Sequence, residues 1–134
     1  YKQAESLLRE ALEVEPDAPD LLYNLAAACQ NQRRFAESEE LLERVVTHSS
    51  DYVFAAASLA QLCISRNQLH RAHQLLESLR QIKQMSHSEF DAFCAAHVDL
   101  YLAEKDKKTA QAWFGVWASA DPNNPRLARY KSLW

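Results

Sequence analysis

The sequence predicts an all-α protein made of antiparallel helix pairs, and three observations point to this fold class. The good helix formers Ala, Leu, Glu, Gln and Arg dominate the 134 residues. One glycine, Gly115, and four prolines supply little of the turn chemistry that an all-β fold needs. An apolar pattern also recurs about every 34 residues, which is the length of some helical-hairpin repeats.

The recurring frame is a small residue, a large apolar residue one helical turn later, and another apolar residue after that. It begins in turn at Ala4, Ser38, Ala72 and Ala110, so successive copies are 34, 34 and 38 residues apart. Midway between the copies lies a second apolar helical pattern, which contains Ala26, Ala60 and Val98 in turn. Each unit therefore contains two helices.

These patterns place the elements along the chain. The first helix is predicted at about residues 1–15. Three pairs follow at about 19–32 with 35–48, 53–66 with 69–85, and 88–104 with 107–120, and a closing helix begins at about 125. Asp20 and Asp51 stand where acidic residues favour the start of a helix. Pro125 suits the first turn of the closing helix, where a missing N–H costs nothing.

The frame resembles the tetratricopeptide repeat, most closely in the stretch YKQAESLLREALEVEPD at residues 1–17. The resemblance extends over essentially the whole chain and implies a right-handed solenoid, a single repeat domain of residues 1–134. In this division residues 1–18 are the second helix of a truncated repeat, 19–52 and 53–86 are repeats, 87–124 is an irregular repeat, and 125–134 is a capping helix. Four extra residues follow Leu79, because the last spacing is 38 instead of 34.

The chain begins within a repeat. Tyr1, Leu8 and Leu12 are therefore expected to lack the helix that would cover them. We expect the parent protein to continue upstream, or this face to be buried by a neighbour, which includes a homo-oligomer formed through the first helix.

Composition argues against several classes of function. Fifteen Lys and Arg against 18 Asp and Glu give a net charge of −3, so we expect no nucleic-acid partner. No apolar run approaches the ~20 residues that span a bilayer, so we expect no membrane insertion. A single glycine excludes the glycine-rich loops that cradle phosphates. With no recognisable nucleophile–base pair or metal set, the sequence predicts no enzyme, no cofactor and no metal site.

Cysteine and histidine residues are the remaining candidates for chemistry. Cys29, Cys63 and Cys94 are expected to pack as small apolar residues. Their odd number and wide spacing suit reduced thiols and a cytoplasmic location. His97 is expected to be buried with a hydrogen-bond partner. His70 and His73 share a helical face, but a tight metal site needs further ligands.

The resemblance implies that the first helices of successive pairs line a concave groove. The positions expected to form its recognition surface are Tyr23, Asn24, Ala27, Gln30, Asn31, Phe54, Ser58, Gln61, Ala95 and Asp99. Small residues let a ligand backbone approach, aromatic residues anchor it, and amides hydrogen-bond its main chain. The predicted function is a scaffold that binds a protein or peptide. Two alternatives stay open: a regulatory or substrate-recruiting appendage of an enzyme whose catalytic domain lies elsewhere, and an oligomerisation module.

Overall fold

Eight α-helices and one short 3₁₀ helix form the fold of residues 2–134, the part of the chain that the computed structural model describes. In chain order the elements are α1 (Lys2–Val14), α2 (Pro19–Asn31), α3 (Phe35–His48), α4 (Val53–Ser65), α5 (Leu69–Glu77), α6 (His87–Ala103), α7 (Lys107–Ala120), the 3₁₀ helix Pro125–Leu127, and α8 (Ala128–Lys131). These residues contain no β-strand, and the predicted all-α class is confirmed.

The helices pack as the predicted pairs. α2 packs on α3, α4 on α5, and α6 on α7, while contacts of α1 with α2, α3 with α4, and α4 with α6 join successive units. Most helices begin and end within one or two residues of their expected bounds. The result is a solenoid in which each pair rests on the next.

Helix α5 is the exception, because it ends at Glu77 and not near residue 85. The chain tightens there into turns in which Leu79 N–H donates to the Leu76 carbonyl and Ile82 N–H to that of Leu79, each at 3.1 Å. Leu79 remains fully buried. The extra residues are therefore accommodated between α5 and α6, and the frame resumes at Ser86, whose side chain caps α6 together with that of Glu89.

The turn inside each pair has one recurring geometry. Its middle residue adopts a left-handed backbone conformation, at Arg33 (φ 61°), Asn67 (φ 60°) and Lys105 (φ 63°). The N–H group of the next residue donates to a carbonyl five residues earlier in the chain. These bonds join Arg34 to Cys29 at 2.8 Å, Gln68 to Cys63 at 2.8 Å, and Asp106 to Tyr101 at 2.9 Å. This is the Schellman arrangement, which satisfies carbonyls left free at a helix end.

Two clusters of buried side chains form the core. The larger runs from α2 to α6 and includes Leu22, Leu25, Val45, Leu59 and Leu76. The smaller lies at the C-terminal end and joins α6, α7 and the closing segment through Cys94, Ala95, Val98, Trp117, Leu127 and Tyr130. Trp117 is completely buried at this end of the chain.

The first helix is covered more than the sequence suggests. Leu8 and Leu12 are half-buried against the larger core cluster, while Tyr1 lies outside the described residues. The large exposed apolar side chains of α1 are Leu7 and Val14. Glu5 also connects α1 to the α2–α3 turn through Arg34, with a carboxylate oxygen 2.8 Å from the guanidinium.

None of the helices within residues 2–134 combines the length and apolar character that crossing a membrane requires.

Candidate functional site

Helices α2, α4 and α6 contribute the walls of an open groove of about 380 Å³, which we call the central groove. It is lined by Tyr23, Phe54, Ala57, Ser58, Gln61, Ser88, Asp91, Ala92, Asn124 and Arg126. Three features of this lining bear on recognition: an aromatic wall, a floor of small residues, and a polar rim.

The aromatic wall consists of Tyr23 and Phe54, and Tyr52, which is not part of the lining, packs against Tyr23. The ring centroid of Tyr23 is 5.6 Å from that of Tyr52 and 6.0 Å from that of Phe54. Tyr52 Oη donates a hydrogen bond to Asp20 Oδ1 at 2.6 Å. Burial, and then the hydrogen bond to the carboxylate, raises the pKa of Tyr52, so the phenol stays a neutral donor. Mutual packing and this hydrogen bond hold the rings in place.

The floor of the central groove is made of small side chains. Ala57 is buried, while Ser58 and Ala92 are half-buried. Because these side chains extend little beyond the helix backbone, a ligand main chain can approach α4 and α6 closely.

Two hydrogen bonds to the Asp99 carboxylate, which we call the ladder, connect three helices at the far end of the groove. Gln61 Nε2 donates to Asp99 Oδ2 at 2.9 Å, and Tyr130 Oη donates to Asp99 Oδ1 at 2.7 Å. Burial, and then this hydrogen bond, raises the pKa of Tyr130 to about 12. Both Asp99 oxygens therefore accept bonds from within the protein, so Asp99 joins α4, α6 and α8.

The rim beside α6 and the closing segment carries one acid and one base. Asp91 Oδ1 accepts a hydrogen bond from Trp117 Nε1 at 3.1 Å. The Arg126 guanidinium carbon lies 5.6 Å from the centroid of the Trp117 ring, within cation–π range. Buried Trp117 thus positions both charged groups of the rim.

The structure divides the ten residues expected at the recognition surface into groups. Tyr23, Phe54, Ser58 and Gln61 line the central groove. Asn24, Ala27 and Asn31 are exposed on α2 away from this lining, and Gln30, also exposed, lines a neighbouring cavity of about 280 Å³. Asp99 is half-buried in the ladder.

Ala95 is not a surface residue, and its expected position on the groove surface is wrong. Its side chain is fully buried in the smaller core cluster, together with Leu127 and Tyr130. The cause is the closing segment, which packs onto the face of α6 that carries Ala95.

Some groove residues were missed at the sequence level. Ser88 and Asp91 lie one helical turn before Ala92 and Ala95, so extending the same periodicity toward the start of α6 could have found them. Asn124 and Arg126 reach the groove only because the closing segment folds back on α6. No periodic signal in the sequence marks that contact.

The cysteines offer no nucleophile among the described residues. Cys29, Cys63 and Cys94 are free and buried, as expected. Burial raises the pKa of each thiol, that of Cys94 to about 12, so all three are held protonated.

Comparison with known proteins bears on this architecture. Residues 1–53 match a family model described as a tetratricopeptide repeat. This part of the chain is therefore similar to a tetratricopeptide repeat. The fold of the whole chain matches a solved structure titled "Functional Characterization of Pseudomonas Aeruginosa pilF", with a TM-score of 0.77 and 16% sequence identity. The chain is covered completely and spans 60% of the length of that protein. No curated protein matches the sequence.

Tetratricopeptide arrays stack helix pairs into solenoids that present extended surfaces for binding. The family match over residues 1–53 and the fold together support a protein-interaction scaffold in general. Repeats of this kind are typically non-catalytic.

Proposed function

We propose that the chain binds an extended segment of a partner protein in the central groove. The observation that carries this proposal is the aromatic wall of Tyr23 and Phe54, which lies beside a floor of small residues. Such a wall offers a large apolar contact to one bulky side chain, and the floor leaves room for the peptide main chain.

The polar groups of the groove suit a peptide main chain. Ser58 supplies a hydroxyl group on the floor, and Gln61 supplies a carboxamide oxygen in addition to the N–H that it donates to Asp99. Asp91 and Arg126 place opposite charges on one rim. This distribution favours a segment with an apolar anchor and little net charge.

Site-specific crosslinking tests the proposal. A photoreactive phenylalanine analogue placed at Tyr23 should label the partner in a lysate of the source organism, and the same analogue at exposed Glu40 of α3 should not. A peptide from the labelled segment should then bind the purified chain. Equal labelling from both positions would contradict binding in the groove.

Substitution in the aromatic wall gives the first prediction. The variants Tyr23→Ala and Phe54→Ala should each weaken binding of the crosslinked peptide at least tenfold, since each removes an aromatic anchor worth about 1.4 kcal/mol or more. Fluorescence anisotropy measures the affinity. Phe35→Ala is the matched control, because Phe35 is an exposed aromatic outside the central groove. Unaltered affinity in both groove variants would refute the assignment.

A further inference from the structure

We propose that His87, Asp91 and Asp121 bind a divalent transition-metal ion, for which Zn²⁺ is the best match. One ligand atom from each residue can be chosen so that all three atoms lie within 4.8 Å of one another. This site lies where α6 begins and α7 ends, beside the central groove. It shares Asp91 with the rim of the central groove, but the proposal does not depend on peptide binding.

The fold itself brings the three side chains together. His87 and Asp91 are four residues apart on α6 and so share one helical face, and Asp121 directly follows α7. His87 Nε2 lies 3.2 Å from Asp121 Oδ2 and 3.9 Å from Asp91 Oδ2. Ligand atoms around a tetrahedral zinc ion are about 3.4 Å apart, given bond lengths of about 2.1 Å. Small side-chain rotations would therefore accommodate the ion.

Neighbouring groups already orient the two carboxylates. The indole N–H of buried Trp117 donates to Asp91 Oδ1 at 3.1 Å, which leaves Oδ2 on the side of His87. The Asn124 side-chain amide donates to Asp121 Oδ2 at 2.9 Å. Hydrogen bonds to ligating carboxylates of this kind fix ligand geometry in metal sites.

The charge of the cluster is unbalanced. The side chains of Asp91 and Asp121 are 13% and 21% exposed, and within residues 2–134 their one ion-pair partner is His87. Two partly buried carboxylates thus share a single ionisable neighbour. A divalent cation would compensate both charges and use the imidazole as a third ligand.

The donor set selects the class of ion. Ca²⁺ and Mg²⁺ prefer oxygen ligands, whereas an imidazole suits Zn²⁺ and its transition-metal neighbours. The His87 side chain is 64% exposed, so solvent reaches one side of the cluster and can supply the remaining ligand. The bound ion would connect the first turn of α6 to the end of α7.

Calorimetric titration of the metal-stripped protein with ZnCl₂ tests this site. The wild-type chain should bind one Zn²⁺, and the variants His87→Ala and Asp121→Asn should bind it at least tenfold more weakly. His48→Ala is the matched control, because His48 Nε2 lies 3.5 Å from a single carboxylate, that of Asp17. The affinity of this control should equal that of the wild type, and CaCl₂ and MgCl₂ should produce no saturable binding.

A thermal melt gives a second readout. Zn²⁺ should raise the melting temperature of the wild type and of His48→Ala but not that of His87→Ala, whose replaced side chain is exposed and so dispensable for folding. Equal Zn²⁺ affinity in wild type and His87→Ala, or no saturable Zn²⁺ binding by the wild type, would overturn the proposal. Circular dichroism of each variant without metal confirms that it is folded.

Discussion

The side chain of His97 is fully buried in the middle of α6. Its Nδ1–H donates to the Phe93 carbonyl at 2.8 Å, and its ring stacks on Trp113 with 3.9 Å between the centroids. Within residues 2–134, its Nε2 has no hydrogen-bond partner. Burial, opposed only in part by the bond to Phe93 and reinforced by the positive charge of nearby Arg80, lowers the pKa of His97 from 6.5 to about 4. The folded protein therefore keeps this imidazole neutral.

Stability should fall in mild acid for this reason. Between pH 6.5 and 4 the unfolded chain binds a proton that the folded chain does not, so the free energy of unfolding decreases as the pH falls through this window. We expect a loss of about 2 kcal/mol from this residue between pH 7 and pH 5. Urea titrations at the two pH values measure it.

The control for this prediction is His97→Gln, which removes the titrating group. Its loss of stability between pH 7 and pH 5 should be much smaller than that of the wild type. Glu5 does not affect this comparison. Hydrogen bonds, above all the one from Arg34, lower the pKa of the Glu5 carboxyl from 4.5 to about 2. The stability that ionised Glu5 contributes is therefore lost only below about pH 4.5, outside the range that is compared. Identical losses in the two proteins would show that other groups dominate.

At the scale of single elements, the three Schellman turns use residues that carry a Cβ atom where glycine is usual. A left-handed conformation costs a residue with a side chain about 1 kcal/mol or more, and Asn tolerates it better than Arg or Lys. The turns therefore contain strain at Arg33 and Lys105 that glycine would relieve.

Replacement by glycine should stabilise these turns. We expect Arg33→Gly and Lys105→Gly each to raise the free energy of unfolding by up to about 1 kcal/mol, reduced in part by the greater entropy of glycine in the unfolded chain. Asn67→Gly should have a smaller effect, because Asn already suits the conformation. Chemical denaturation measures all three, and destabilisation by both charged-residue replacements would contradict this account of the turns.

The elements also show which parts of the fold can be predicted from sequence. Apolar periodicity located α2, α3, α4 and α7 because each buries one face against a regular neighbour. The same signal placed the end of α5 too late in the chain. Leu79 is buried and continues the apolar pattern of the helix, although α5 already ends at Glu77. Apolar periodicity indicates which side chains are buried, but it does not show where the backbone changes from an α-helix to tight turns.

At the scale of the whole molecule, the closing segment couples the core to the candidate site. It covers Ala95, supplies Arg126 to the rim, and places Tyr130 against Asp99. The sequence could indicate the aromatic wall and the floor, which lie on regular helices. It could not indicate the rim, because that depends on where an irregular segment of the chain folds back.

Loss of Trp117 should therefore have a local effect on a modular structure. Trp117→Ala removes a fully buried indole and should lower the free energy of unfolding of the region around it by about 3–5 kcal/mol. In a solenoid each unit contacts only its neighbours, so amide exchange should accelerate in α6, α7 and α8 more than in α2 and α3. Hydrogen exchange read by mass spectrometry checks this, and uniform acceleration along the chain would argue for one cooperative unit.

The three buried cysteines lie one in each helix pair, at Cys29 in α2, Cys63 in α4 and Cys94 in α6. Because each thiol is shielded from solvent, a thiol-reactive reagent can modify it only when the surrounding pair opens. The rate of labelling at each position thus reports how often that pair exposes its interior. The three native cysteines therefore allow the frequency of local opening to be compared between the three helix pairs, without any engineered label.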